Sequence, residues 1–400
     1  MEPTREKTTI RDRVVATLKG KKPAHLPFID RIEMWYKTHT SSGTLPEEFW
    51  GMSLREVHEA VGIGQEKFIN AFSLRLRGVE VISRFEGEAF YHEKDPLLDN
   101  FPNVWDLVPD DRAGATDTQF VTSVGRVSVQ HRTLPGMLAA GMEPYLKGHL
   151  IKEESDYRTA MYILERVEYI PQYERSQGEE KRMGDMGFLV PFLPRIPFQQ
   201  MLLEYLGELA LFNALYDCQE LLTKLLTLLD GQLVEILDKL SEWPVPYVEF
   251  GDNLHAEMTN PKLFGEYCLP CYQRYAEILH GQGKKVGSHT DGELQPLLDL
   301  LAESGLDVCE SFSPAPLTEC TFEEAWEAWH DGPIIWGGIP SPMLEERTSE
   351  GEFQEYVERV LEIIDGRPII LGIGDMVMGN NLIDRVRYIA RRVENHSLDG

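Results

Sequence analysis

Long apolar runs are missing from this 400-residue sequence. No run reaches the roughly 18–20 residues that a helix needs to cross a bilayer. The first residues, Met1 to Glu6, also lack the apolar segment of a signal peptide. The two absences predict a soluble, cytoplasmic protein without a membrane partner.

Basic charge is also scarce. Lys and Arg total 39 against 66 Asp and Glu, which gives a formal net charge of −27. Because polyanions are bound by clustered basic residues, a surface with this excess of acid repels them. Nucleic acid is therefore not an expected ligand. The charge is explained by solubility or by docking of a particular protein partner.

Cysteine and several catalytic motifs are rare or absent. The five cysteines form an odd, sparse set, which indicates reduced thiols. Cys268 and Cys271 make a single CxxC inside a helix-like run, so packing is favoured over zinc or redox chemistry. There is no P-loop and no GxSxG, and Gly372-Ile373-Gly374 lacks the third glycine of a dinucleotide fingerprint.

Alternating strand-like and helix-like runs are what the sequence does contain. Five such units follow one another between Pro246 and Val393. Regular alternation is typical of parallel strands joined by crossover helices. Earlier segments predict a helix at 8–19 ended by Pro23 to Pro27, a first strand at 28–29, hairpins at 75–91 and 119–132, a helix at 153–167, a loop at 176–184 and a buried strand at 187–192.

These elements predict an α/β protein that is a single (β/α)₈ TIM barrel over residues 1–400. An N-terminal helix and inserted β-hairpins are expected within about residues 1–135. A doubly wound open sheet is the alternative architecture.

Polar side chains with metal-binding capacity follow the predicted C-terminal strands. His289 and Asp291 come directly after one strand, and Glu310 follows the next. Asp252 and Asp375 follow two others. Since strand ends converge at one face of a barrel, these residues predict an active site there, with Asp252, His289 and Glu310 as catalytic candidates. The set suits a divalent ion such as Zn²⁺. A hydrogen-bonded cluster without metal, or a turn and helix cap at Asp291-Gly292, would use the same residues.

Other side chains near the predicted strand ends are candidates for binding a substrate. Aromatic and flexible residues would line a pocket, and polar ones would orient its ligand. For each aromatic residue, core packing is the competing interpretation. The candidates are Trp35, Tyr36, Asn253, Phe312, Trp336, Asp375 and Met376.

Several motifs together resemble the uroporphyrinogen decarboxylase superfamily. They are the 11–20 segment with Pro23 and Pro27, Gly251-Asp252-Asn253, 260–272, His289-Thr290-Asp291-Gly292, 305–314, Trp336-Gly337-Gly338-Ile339-Pro340 and Leu371-Gly372-Ile373-Gly374-Asp375. The resemblance implies a (β/α)₈ barrel. Its decarboxylases carry an arginine-rich N-terminal segment, whereas residues 27–35 hold one arginine and two acids, a poor cradle for many carboxylates.

The resemblance is closer to the corrinoid-dependent methyltransferase branch. Thiol-handling members bind zinc through a His-x-Cys pair and a later Cys. Here His289 matches the histidine, Asp291 stands at the first Cys, and the region of Ile373 lacks the second. The implied metal site is Zn²⁺ held by His289, Asp291 and Glu310. Oxygen and nitrogen ligands make a stronger Lewis acid, suited to polarising an oxygen.

The resemblance therefore implies an enzyme that demethylates a methyl ether, such as a methoxylated aromatic. The methyl group would pass to Co(I) of a separate corrinoid protein, the expected partner that supplies cobalamin. Two alternatives stay open: a metal-independent decarboxylase of a small acidic substrate anchored by Arg31, and a non-enzymatic protein that binds a corrinoid or an aromatic. A homodimer is one of the open oligomeric states.

Overall fold

The computed structural model describes residues 8–21, 25–99, 105, 107–364 and 366–396. The first residues, Met1 to Glu6, and Pro23, used above as sequence signals, lie outside these ranges. The strands are β1 (Ile29–Asp30), β2 (Gly64–Asn70), β3 (Phe72–Leu76), β4 (Val79–Phe85), β5 (Glu88–Lys94), β6 (Leu97–Leu98), β7 (Gly114–Thr122), β8 (Arg126–Thr133), β9 (Tyr145–Gly148), β10 (Val167–Pro171), β11 (Gly187–Leu193), β12 (Tyr247–Phe250), β13 (Lys285–His289), β14 (Val308–Phe312), β15 (Ile334–Pro340) and β16 (Ile370–Gly374).

The helices connect and cover these strands. They are α1 (Ile10–Leu18), α2 (Glu33–Ser42), α3 (Leu54–Val61), α4 (Pro135–Ala140), α5 (Glu154–Leu164), α6 (Tyr173–Met183), α7 (Pro197–Gln200), α8 (Glu208–Asp217), α9 (Gln219–Lys239), α10 (Pro261–Leu263), α11 (Leu269–Gly281), α12 (Leu298–Ala302), α13 (Phe322–Ala328), α14 (Glu350–Ile363) and α15 (Ile383–Asn395). None of the helices in the described ranges combines the length and apolar character needed to cross a bilayer.

Eight parallel strands form the barrel, in the order β1-β2-β11-β12-β13-β14-β15-β16. The sheet closes on itself where Phe28 pairs with Leu371 in parallel register. The Asp30 carboxylate reinforces the seam by accepting a hydrogen bond from the backbone N–H of Ile373. The predicted TIM barrel is confirmed. That the whole chain is one domain stays a prediction.

The barrel interior is layered. At the N-terminal strand ends Phe188, Tyr247 and Trp336 pack together, with ring centroids 6.0–6.4 Å apart. Val14 and Leu18 of α1 belong to the same buried cluster and cover that end. Side chains two residues further along a strand face the same side. The residues two positions beyond the aromatic layer, toward the C-terminal strand ends, therefore also point inward. At that level the barrel interior becomes polar.

An antiparallel insertion separates β2 from β11. It comprises a five-stranded sheet in the order β5-β4-β7-β8-β9 and a three-stranded sheet in the order β10-β3-β6. The predicted hairpins are confirmed, but the insertion runs from Phe72 to Pro171 and so extends well past residue 135. Near its end, Ser41 of α2 donates a hydrogen bond of 3.0 Å to the carbonyl oxygen of Ala139 in α4.

Two local predictions are wrong, and one barrel strand was missed. The polar segment 176–184 is not a loop, because most of it belongs to helix α6. The helix predicted over 153–167 ends at Leu164, and Val167 already begins β10. Strand β2 was not predicted at all. Its inward-facing Glu66 breaks the apolar pattern by which a buried strand is recognised.

Candidate active site

His289 and Glu310 form the centre of the site. They are the paired residues of neighbouring strands β13 and β14. The imidazole Nδ1 lies 2.5 Å from Oε2 of Glu310, and the two residues are 8% and 2% exposed. Thr290 fixes the strand junction, since its N–H and its hydroxyl both donate to the Glu310 carbonyl oxygen, at 2.8 and 2.7 Å. The predicted convergence of these two residues is confirmed, although Glu310 lies within its strand rather than after it.

The other edge of the imidazole faces Asp291. Nε2 of His289 is 3.7 Å from Oδ2 of Asp291. The Asn253 side-chain amide is 3.4 and 3.5 Å from the two carboxylate oxygens of Asp291, to which it donates. Burial disfavours the imidazolium, but Glu310 and Asp291 outweigh it and raise the pKa of His289 well above its usual value. Burial also opposes ionisation of Asp291, and its interaction with His289 nevertheless lowers the pKa of that carboxyl.

Asp375 approaches from the end of β16. Its backbone N–H donates to Ser311 Oγ at 2.9 Å. Both residues have left-handed backbones, with φ of 68° and 61°. Non-glycine residues held there store about 1–3 kcal/mol each, which is characteristic of functional sites. Burial raises the pKa of Asp375, although the guanidinium of Arg31 opposes this effect.

Arg31 is the cation beside these acids. One of its Nη atoms donates to the Asp375 carbonyl oxygen at 2.8 Å and lies 3.7 Å from the carboxylate of that residue. The guanidinium also stacks over the ring of Phe68, 4.7 Å from its centroid. Burial opposes its charge, but Glu66, Glu310, Asp30 and Asp375 raise the pKa of Arg31.

A deeper acidic layer was missed in the sequence. Glu249 and Glu66 are 0% and 1% exposed inside the barrel. The Tyr247 hydroxyl donates to Oε2 of Glu249 at 2.7 Å. Burial raises the pKa of both glutamates well above the usual value, and the charge of Glu310 raises them further. A glutamate within the otherwise apolar strand Tyr247-Val248-Glu249-Phe250 was the signal that could have revealed this layer.

Asp252 does not join the centre. Its Oδ1 accepts from the Ile196 N–H at 2.9 Å, and its Oδ2 accepts from Tyr272 at 2.6 Å and from Ser288 at 3.2 Å. The side chain is completely buried and ties the loop after β11 to α11 and β13. Its placement corrects the prediction that Asp252 would converge with His289, and assigns it a structural role.

Three predicted pocket aromatics lie in the core instead. Trp336 belongs to the layer at the opposite end of the barrel. A register shift between Cys309 and Phe312 turns Phe312 outward, where its ring packs 5.5 Å from Trp329. Trp35 is 2% exposed and donates to the carbonyl oxygen of Asn381 at 3.1 Å.

The remaining predicted pocket residues are less enclosed. Tyr36 is half-buried and donates to the Met52 carbonyl oxygen at 2.7 Å. It also lines a cavity of about 550 Å³ between α2 and α4. Met376 is half-buried directly after Asp375. The structure thus keeps Asn253, Asp375 and Met376 near the centre.

The ligand geometry divides into two groups that share His289. In one, donor atoms of Glu249, His289 and Glu310 lie within 4.8 Å of one another; in the other, those of His289, Asp291 and Asp375 do. Glu310 faces Nδ1 and Asp291 faces Nε2, on opposite edges of the ring. A single ion on one ring nitrogen therefore does not fit the predicted combination of His289, Asp291 and Glu310. The outer group, with Asp375, fits better.

A β/α barrel with a histidine held between carboxylates at its strand ends is the class that the fold and the site define. The family described as uroporphyrinogen decarboxylase (URO-D) matches residues 207–396, just under half of the chain. Over this segment the chain is similar to the uroporphyrinogen decarboxylase family, in agreement with the resemblance carried by the sequence motifs.

A solved structure extends the likeness to the whole fold. A methyltransferase from Methanosarcina mazei superposes with a TM-score of 0.58 over 97% of this chain and 99% of that chain, at 11% sequence identity. At this identity the likeness shows a shared fold. A search of curated proteins gave no match.

Proposed function

We propose that this protein is a methyltransferase that removes the methyl group of a methyl ether and passes it to Co(I) of a separate corrinoid protein. The observation that carries the proposal is the histidine held between two carboxylates at the barrel mouth, one of which, Asp291, stands where the thiol-handling members of the branch would place their first cysteine ligand. The superfamily match and the fold shared with a protein named as a methyltransferase support it. A methoxylated aromatic is the proposed substrate class.

Ether cleavage requires help at the oxygen. When the methyl group leaves, the electron pair of the C–O bond stays on an aryloxide, a poor leaving group without charge compensation. Nε2 of His289 is the donor placed for this task, because Glu310 holds the opposite ring nitrogen and favours the charged imidazolium. A proton transferred from Nε2 to that oxygen would yield the phenol and a neutral imidazole.

The outer group also fits Zn²⁺, the proposed metal. One imidazole nitrogen and carboxylates of Asp291 and Asp375 form a mixed nitrogen and oxygen set that leaves a position for substrate. Glu310 would then orient the ring as the carboxylate partner of a metal-binding histidine. Because a zinc-bound Nε2 would carry no proton, the ion would replace the imidazolium in this role and would supply Lewis-acid polarisation of the ether oxygen.

The decarboxylase alternative finds less support. It needs a cation available to hold a substrate carboxylate, and Arg31 is the candidate. That guanidinium already contacts Asp375 and lies among buried acids. No observation favours it over methyl transfer.

The test is methyl transfer from guaiacol, veratrole and vanillate to cob(I)alamin, followed by the change in the corrinoid spectrum. We expect methylcobalamin with at least one of the three. Release of CO₂ from a carboxylated substrate, with no methylcobalamin from any ether, would instead favour the decarboxylase.

A further inference from the structure

A second ligand cluster lies beneath His289 and is not needed for ether cleavage. Oxygen atoms of Glu249 and Glu310 lie within 4.8 Å of each other. Glu66 of β2 is a third carboxylate buried inside the barrel, 1% exposed, and the charges of Glu310 and Glu249 raise its pKa. We call Glu66, Glu249 and Glu310 the inner carboxylates.

Two oxygen atoms of this cluster have no hydrogen-bond partner. Oε1 of Glu249 and Oε1 of Glu66 are both buried, and within the described ranges neither has a hydrogen-bond partner. An ionised carboxylate needs a donor at each of these oxygen atoms, and the described residues supply none. Buried polar atoms are nearly always satisfied, which makes two such atoms in one layer a sign of a ligand.

Charge points to the nature of the ligand. Within the described ranges six carboxylates surround the centre, and the cationic groups that face them are the Arg31 guanidinium and the His289 imidazolium. With all of these groups ionised, four negative charges remain uncompensated. A zinc ion in the outer group would offset two of them at most, which leaves an excess of negative charge for a second divalent cation. The six acids of this count are Asp30, Glu66, Glu249, Asp291, Glu310 and Asp375.

We propose that the inner carboxylates form a second cation site, for a hard divalent ion of the Mg²⁺ or Mn²⁺ class. Carboxylate oxygens are the ligands that these ions prefer. The Nδ1–H of His289 stays on Glu310 Oε2, so the other oxygen of Glu310 serves the ion and the ring remains fixed. The site goes beyond the proposed methyl transfer and does not depend on the identity of the methyl donor.

The experiment uses Mn²⁺ as the probe. Protein stripped with a chelator and reloaded with Zn²⁺ is titrated with Mn²⁺, and bound ion is measured by electron paramagnetic resonance. We expect one Mn²⁺ per wild-type chain. Glu249→Gln and Glu66→Gln should each weaken Mn²⁺ binding at least ten-fold while zinc content is unchanged.

Two matched variants complete the design. Glu33→Gln changes another glutamate that has a partnerless buried oxygen but lies outside both ligand groups, and it should bind Mn²⁺ like the wild type. Asp375→Asn should lose zinc and keep Mn²⁺. If Asp375→Asn kept its zinc while the Mn²⁺ results were as expected, the outer metal site of the proposed function would be refuted and the inner site would still be supported.

A crystal of the wild-type protein soaked in MnCl₂ gives a readout that does not depend on the folding of a variant. We expect an anomalous peak between Glu249 and Glu310. A wild-type protein that binds no Mn²⁺, a peak elsewhere only, or a folded Glu249→Gln with wild-type affinity would overturn the proposal and leave protons as the balancing charge.

Discussion

Replacement of Asp252 by asparagine separates a structural role from a catalytic one. The wild-type carboxyl is fully buried, and burial raises its pKa from 3.8 to about 6, despite hydrogen bonds from Tyr272, the Ile196 N–H and Ser288. A shift of about two units corresponds to about 3 kcal/mol. Because the folded state holds the proton more tightly than the unfolded state, this group contributes stability below about pH 4 that is lost as pH rises through 6.

Asparagine keeps an acceptor for Ile196 and carries no charge. We therefore expect the free energy of unfolding of Asp252→Asn to rise relative to wild type by about 3 kcal/mol between pH 4 and pH 7. Asp252→Ala leaves the three partners of the carboxylate unsatisfied and should lose about 3–9 kcal/mol, at about 1–3 kcal/mol for each buried group.

Urea unfolding followed by tryptophan fluorescence, repeated across this pH range, measures both variants. Methyl transfer by Asp252→Asn should persist. If the difference in free energy of unfolding between Asp252→Asn and wild type did not change with pH, the raised pKa of the buried Asp252 carboxyl would be refuted. A folded Asp252→Asn without activity would return Asp252 to the catalytic set.

Three other predictions concern the site and its support. His289→Ala should abolish methyl transfer with its circular dichroism spectrum unchanged; full activity would remove His289 from the mechanism. Gly287→Ala would place a Cβ 2.0 Å from the Tyr247 hydroxyl, so overpacking should lower the free energy of unfolding by about 1–3 kcal/mol. Gly231→Ala, a helical position with open space, should instead raise it by about 0.5–1 kcal/mol, and equal effects would argue against the close contact. Glu310→Gln should bind zinc about 10–100-fold more weakly than wild type, because the Glu310 carboxylate orients the His289 ligand. Elemental analysis of protein equilibrated with a series of zinc concentrations measures this affinity, and an unchanged value would contradict that role.

The barrel was predictable from the C-terminal half because its strands are apolar and its helices recur at similar spacing. The elements that were missed break this pattern. Strand β2 carries Glu66 toward the barrel interior, and helix α6 is polar because it lacks a wide buried face. Hydrophobic periodicity indicates only where apolar residues are buried, so a buried acidic residue is wrongly assigned to the protein surface.

The centre of the site was partly predictable for the same geometric reason. His289 and Asp291 are two residues apart and do converge, and Glu310 lies opposite His289 in the next strand. The orientation of Phe312 depends on a register shift and on the left-handed backbone conformation of Ser311, and no residue pattern predicts either feature. To predict that Glu249 lies in the site, one would need to know which face of its strand points into the barrel.

The most direct test of the proposed methyl transfer follows the methyl group itself. Wild-type protein is incubated with a methoxyarene carrying a ¹³C-labelled methoxy group and a reduced corrinoid protein, and both products are quantified. We predict that the label appears on the corrinoid with an equimolar amount of the phenol, and that His289→Ala yields neither. Label that stays in the ether for guaiacol, veratrole and vanillate alike, with folded protein and reduced corrinoid, would contradict it.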